Sequence, residues 1–232
     1  MIARLTASLL LISALPAFAA ADDAQRLDLS TVTAISITGD ASSIALTTGD
    51  GPYEATLSGR RSGWFSRWYS LLLGSDCRSA GRMSVEGGTL TVDVGTPWPD
   101  PSECVVELRA NLPKASAVSI EQAAAQVSLK GEFSSVLLDS KAADVTFRGH
   151  AGSLVMKGDA LRSNLTFDRV DNTETIALNA RALDTHLGFV SGTKVSYKVE
   201  AAAALVDSAL PNTLGAKPAI DIKASFLRAK IE

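Results

Sequence analysis

Few residues of this 232-residue chain are suited to chemistry: it carries two cysteines and two histidines. Cys77 and Cys104 form an even pair, which in an oxidising compartment predicts a disulfide, and closing a loop of this length contributes about 3 kcal/mol in the chain-entropy model. A metal or redox role is poorly supported, because neither cysteine has another two or three residues away and both histidines are remote. His150 sits in the predicted turn Arg148-Gly149-His150-Ala151, and His186 precedes Leu187-Gly188-Phe189 at a predicted turn-to-strand boundary, so both are expected to be solvated. The sequence holds no histidines four apart, no Gly-x-Ser-x-Gly elbow and no phosphate-binding glycine loop. Asp139, Lys157 and Asp168 could gather on one face, as glycan cleavage on a β-helix would require, but each is an outward charge of the kind any solvated strand carries. The expected catalytic, metal and cofactor-binding residues are therefore none.

Binding chemistry is better represented. The stretch 59–77, GRRSGWFSRWYSLLLGSDC, places Trp64, Phe65, Trp68 and Tyr69 beside Arg60, Arg61 and Arg67. Exposed, such a patch contacts lipid headgroups, glycan or a protein; folded inward, it covers an open end of the scaffold, where unpaired strand edges need protection. The third tryptophan, Trp98, lies in the proline-stiffened loop Thr96-Pro97-Trp98-Pro99-Asp100-Pro101, either as a presented anchor or folded onto the neighbouring insertion.

The elements that must position these residues announce themselves by a nine-residue beat. From Val118 the units VSIEQAAAQ, VSLKGEFSS, VLLDSKAAD and VTFRGHAGS each open with an apolar, any, apolar triplet, and the beat continues in looser form to Tyr197. It is also present at Ile35-Ser36-Ile37, Ile44-Ala45-Leu46 and Tyr53-Glu54-Ala55, and again at Ile220-Asp221-Ile222. Apolar residues at positions 1 and 3 match the period of two that sends alternate strand side chains to one face, and charges at position 4 keep the other face wet. The first five units also carry an apolar residue at position 7, namely Ala124, Phe133, Ala142, Ala151 and Ala160, expected to be a second inward position. Turn glycines, including Gly131, Gly149, Gly158 and Gly192, follow the triplets. The expected fold is all-β, a parallel β-solenoid of short strands with two or three units per coil. With two, Glu121, Asp139 and Lys157 form one outer column and Lys130, Arg148 and Asp168 another. A β-sandwich is the alternative. An outer-membrane barrel is rejected, since its strands need about 9 to 11 residues and these run shorter.

Residues 1–19 have the form of a secretory signal peptide: Arg4, an apolar run from Leu5 to Leu15, and the small-residue site Ala17-Phe18-Ala19, with Ala21 as a second cleavage point. Residues 20–232 are expected to form one β-solenoid domain in the periplasm, outside the cell or on its surface. Loss of Arg4 takes the formal charge from -3 to -4, a mild acidity that argues against nucleic acid as a partner.

The signal sequence, the triplets of Val118 to Tyr197 and the glycine- or serine-marked turns resemble the bacterial adhesin-like envelope proteins that carry a head-GIN-like β-solenoid domain. The Gly-Ile-Asn tripeptide of that family is missing here, and the resemblance carries over no functional residue. It implies an exported, non-enzymatic, adhesin-like or envelope-associated binding or scaffold protein. Its partner would be an envelope component, glycan or protein, and a peripheral membrane contact is compatible with it. A glycan-active enzyme on a β-helix scaffold is the alternative.

Overall fold

The computed structural model describes residues 24–61, 77–95 and 104–232. Ten strands run through them: β1 (Gln25–Asp28), β2 (Ala34–Thr48), β3 (Glu54–Arg61), β4 (Gly81–Glu86), β5 (Thr89–Val94), β6 (Cys104–Leu112), β7 (Ser116–Phe167), β8 (Thr175–Phe189), β9 (Ser196–Ser208) and β10 (Ala219–Ile231). A 3-10 turn, Cys77–Ala80, precedes β4.

β7 is 52 residues long because it winds on itself. Its first part pairs in parallel with β2, Val118 beside Ile35, and its last part pairs in parallel with β8, Leu154 beside Ile176. Between them Gly149 stands over Gly131, and Gly158 over Ser140, eighteen residues later in each case. One coil is therefore two nine-residue units. Buried side chains alternate along a first wall (Val118, Ile120, Gln122) and a second (Ala125, Val127, Leu129), and Phe133 turns inward on the arc that closes the coil. The columns continue through the stack: Ile37, Ile120, Leu138, Met156, Leu178 and Ile222 all point inward. On the second wall Phe147 and Phe167 have ring centroids 5.1 Å apart, and Phe167 and Phe189 5.2 Å.

The wet face follows in part. Glu121, Asp139 and Lys157 recur at the eighteen-residue spacing, as do Lys130 and Arg148, but Asp168 comes two residues late and reaches Arg148 Nε at 3.0 Å from a neighbouring position.

Position 7 is a correction. Phe133 and Ala151 are buried, whereas Ala124, Ala142 and Ala160 are exposed, and Ala125, Ala143 and Leu161 take the inward places. Where the first wall meets the second, the chain sets two successive side chains outward, as at Ala123 and Ala124, and the alternation slips by one. The two units of a coil thus differ, one closing through a bend and the other through an arc.

The ends depart from simple winding. β5 and β6 extend the two walls of β2 in parallel, but β4 and β3 pair with them antiparallel, and β1 pairs antiparallel with β3. The triplet Tyr53-Glu54-Ala55 accordingly opens a strand that runs backwards over the first coil. At the other end the strand order is β8, β10, β9, so the last strand lies between the two that precede it.

Candidate functional site

The bend between the walls carries the most distinctive surface. On its outer side Ala41, Ala124, Ala142, Ala160, Ala182 and Ala203 occupy one register position of successive rungs, with Phe226 filling the rung between the last two. Methyl groups leave room that larger side chains would fill, and the result is a furrow of about 1010 Å³. Seven rungs at the usual strand spacing make it about 29 Å long. Phe226 and Leu205 stand at one end, 65% and 66% exposed. Along the flank formed by the second wall, Asp144, Arg162, Asp184 and Arg228 alternate in sign from rung to rung. Such a rim neutralises itself, so net charge does not select what lies in the furrow.

At the other end stand Cys104 and Val105. Here the chain leaves and rejoins the same bend twice: Arg61 pairs with Cys104, Cys77 is bonded to Cys104 with Cα atoms 5.7 Å apart, and β5 ends at Val94 beside Gly39. The expected disulfide is present. It joins Cys77, which follows residues 62–76, to Cys104, which follows residues 96–103. Trp64, Phe65, Arg67, Trp68, Tyr69 and Trp98 lie outside the described residues; the backbones of Arg60 and Arg61 end β3 against Val105 and Cys104. Sequence spacing could not reveal that both tryptophan-bearing stretches start from one corner, because that juxtaposition comes from β3 and β4 reversing over β6 and β5.

The titratable candidates are dispersed. Asp139 and Lys157 are neighbours on the first wall, while Asp168 is engaged by Arg148. His186 lies within β8, and its Nε2 is 2.7 Å from Glu232 Oε1. His150 corrects the expectation of a solvated ring: its side chain is 12% exposed, with Nε2 3.2 Å from Glu174 Oε1 and 3.4 Å from Asp171 Oδ2. Arg169 Nη2 lies 3.1 Å from His150 Nδ1. A guanidinium can only donate, so Nδ1 accepts and Nε2 carries the proton toward the carboxylates. Arg169 also reaches Asp171 and Glu132, each at 3.2 Å.

Glu174, fully buried, accepts from the backbone N–H of Asp171 and, at 3.0 Å, of Thr173. Burial pushes its carboxyl up, but the N–H groups of Asp171, Glu174 and Thr173, with His150, outweigh that and hold it below the usual carboxylate range. His150, Asp171 and Glu174 offer ligand atoms within 4.8 Å of one another, the arrangement among the described residues best able to hold a metal. Arg169 and two backbone donors already occupy it, so the network acts as a brace for the loop between β7 and β8.

No protein-family model and no curated protein matches the chain. Three solved structures overlap it over 90% of its length. A candidate cell adhesion protein from Clostridium sporogenes is 9% identical, with 97% of that chain covered and a TM-score of 0.41. Candidate adhesins from Bacteroides fragilis and Parabacteroides distasonis are 12% and 11% identical, each with 96% covered and TM-scores of 0.35 and 0.38. At this level of overlap the functional reading rests on the chain's own residues.

Proposed function

We propose that the chain is an exported, non-enzymatic binding protein of the adhesin-like, envelope-associated kind, whose solenoid presents a surface to a partner. The observation that carries this reading is the alanine-floored furrow, with both tryptophan-bearing stretches rooted at its Cys104 end and Phe226 and Leu205 at the other. A floor of methyl groups has few hydrogen-bonding groups to offer a sugar, which favours an apolar segment of an envelope protein over a glycan. The disulfide fits an oxidising compartment outside the cytoplasm.

The experiment fractionates cells making the full chain and measures the envelope-bound share. Ala142→Glu and Ala160→Glu place carboxylates on the furrow floor, and Ser128→Glu places one on the outside of the second wall. The bound share should fall for the first two and hold for the third. A wild-type protein found wholly free, or furrow variants that stay bound as wild type does, would sink the proposal.

A further inference from the structure

Among the described residues β9 ends the strand path, and much of its outer edge has no strand partner. Ser196 and Ala209 donate to Pro218 and Ile231 on the β10 side. Tyr197 faces the other way: its N–H and C=O are taken by the side-chain amide of Asn212, at 3.0 and 2.9 Å. Backbone groups alternate along a strand, so those of Val199 and Ala201 also point to the open edge. Ala202 and Ala203 form the bend, the phase slips there as in every rung, and beyond it Ala204, Val206 and Ser208 point outward along the axis. The stretch Ala201–Val206, AAAALV, bears neither charge nor proline, features that ordinarily protect an exposed edge.

This edge is complementary to itself. Laid antiparallel on a second copy with Ala202 opposite Ala203, it sets Ala201 against Ala204, Glu200 against Leu205, Val199 against Val206, and Lys198 against Asp207. Every pair then joins inward with inward or outward with outward side chains, bend lies on bend, and the residues with free backbone groups face one another. Lys198 meets Asp207 at both ends, so charge also matches. The arms on either side of the bend, 198–201 and 204–207, are equally long, and the ladder ends where Asn212 closes the edge. We infer that two copies of this chain associate end to end through an antiparallel β9–β9 ladder across a two-fold axis at the bend. Val199, Ala201, Ala204 and Val206 make the backbone bonds, and the Lys198–Asp207 pairs set the register. The two furrows meet at that axis and continue one another. Because the edge is consumed in the contact, the assembly closes at two.

Sedimentation of the full chain over a range of concentrations tests this, with Lys198→Asp, Asp207→Lys and the double exchange as variants; both side chains point to solvent, so the fold should tolerate each. A monomer–dimer equilibrium is expected. Either single change puts like charges opposite one another twice per dimer and weakens association about tenfold, and the double exchange restores it. A monomer at every concentration, growth beyond two copies, or a dimer indifferent to all three variants would overturn the inference. None of these outcomes depends on the envelope partner, so the furrow reading stands or falls separately.

Discussion

Ser163 and Thr185 show how a single pair of side chains departs from its column. They sit on adjacent rungs inside the second wall, in line with Val127 and Val145, and Ser163 Oγ donates to Thr185 Oγ1 at 2.8 Å. Removing one hydroxyl strands the other in an apolar interior, whereas removing both at matched shape restores the column. Thr185→Val should therefore cost about 1 to 2 kcal/mol by urea denaturation, and Ser163→Ala with Thr185→Val should recover most of that loss. Glu174 carries a different signature. Its carboxyl is held below the ordinary range when folded, so its contribution is fully present above the unfolded glutamate value and is lost as the pH falls through the folded one. Glu174→Gln should lower stability by about 1 to 2 kcal/mol at neutral pH, and the gap from wild type should narrow on acidification. A gap that widened in acid would contradict that assignment.

The strands show which parts of the sequence pattern carry a physical signal. Ile120, Leu129, Leu138, Phe147 and Met156 are buried as their triplets predict, because period-two alternation is read directly from residue types. Ala124 and Ala142 could not be placed this way, since alanine is tolerated on either side of a wall and the slip at the bend has no residue of its own. The reversal of β3 and β4 was equally hidden: an apolar triplet has the same form in either chain direction. Gly131, Gly149 and Gly192 were visible as turn glycines and their reason is now specific, whereas Gly158 lies within the first wall beside Ala180. Gly149 has φ +141, and a Cβ there would lie 1.9 Å from the Gly131 carbonyl oxygen. Gly149→Ala should cost about 3 kcal/mol or more, whereas Gly192, at φ +84 with nothing near its missing Cβ, should pay only the backbone strain of about 1 kcal/mol when changed to alanine. Thermal unfolding of the two variants decides it; equal losses would mean that the stacked contact with Gly131 is not what excludes a side chain.

For the molecule as a whole, the disulfide fastens the reversed cap to the parallel stack at the head of the furrow. Cys77→Ser with Cys104→Ser should lower stability by about 3 kcal/mol, measured against the oxidised protein in the same denaturant series. The loss should be matched by reducing the wild type, which separates the bond from any effect of the substituted side chains.

The placement of β10 between β8 and β9 governs the order in which the structure can be completed. Twelve of its thirteen residues pair with both neighbours, among them Ile220 beside Ile176 and Tyr197 and Ile231 beside Leu187 and Ser208, Ser225 at the bend being the exception. β8 and β9 are made earlier, yet they do not pair with each other in the finished stack. An emerging polypeptide can wind β7 and β8 rung by rung as it lengthens, but the final layers must wait for residue 231. Until then β9 has no seat, and a chain arrested ahead of Ala219 would keep its first coils while leaving β9 unanchored.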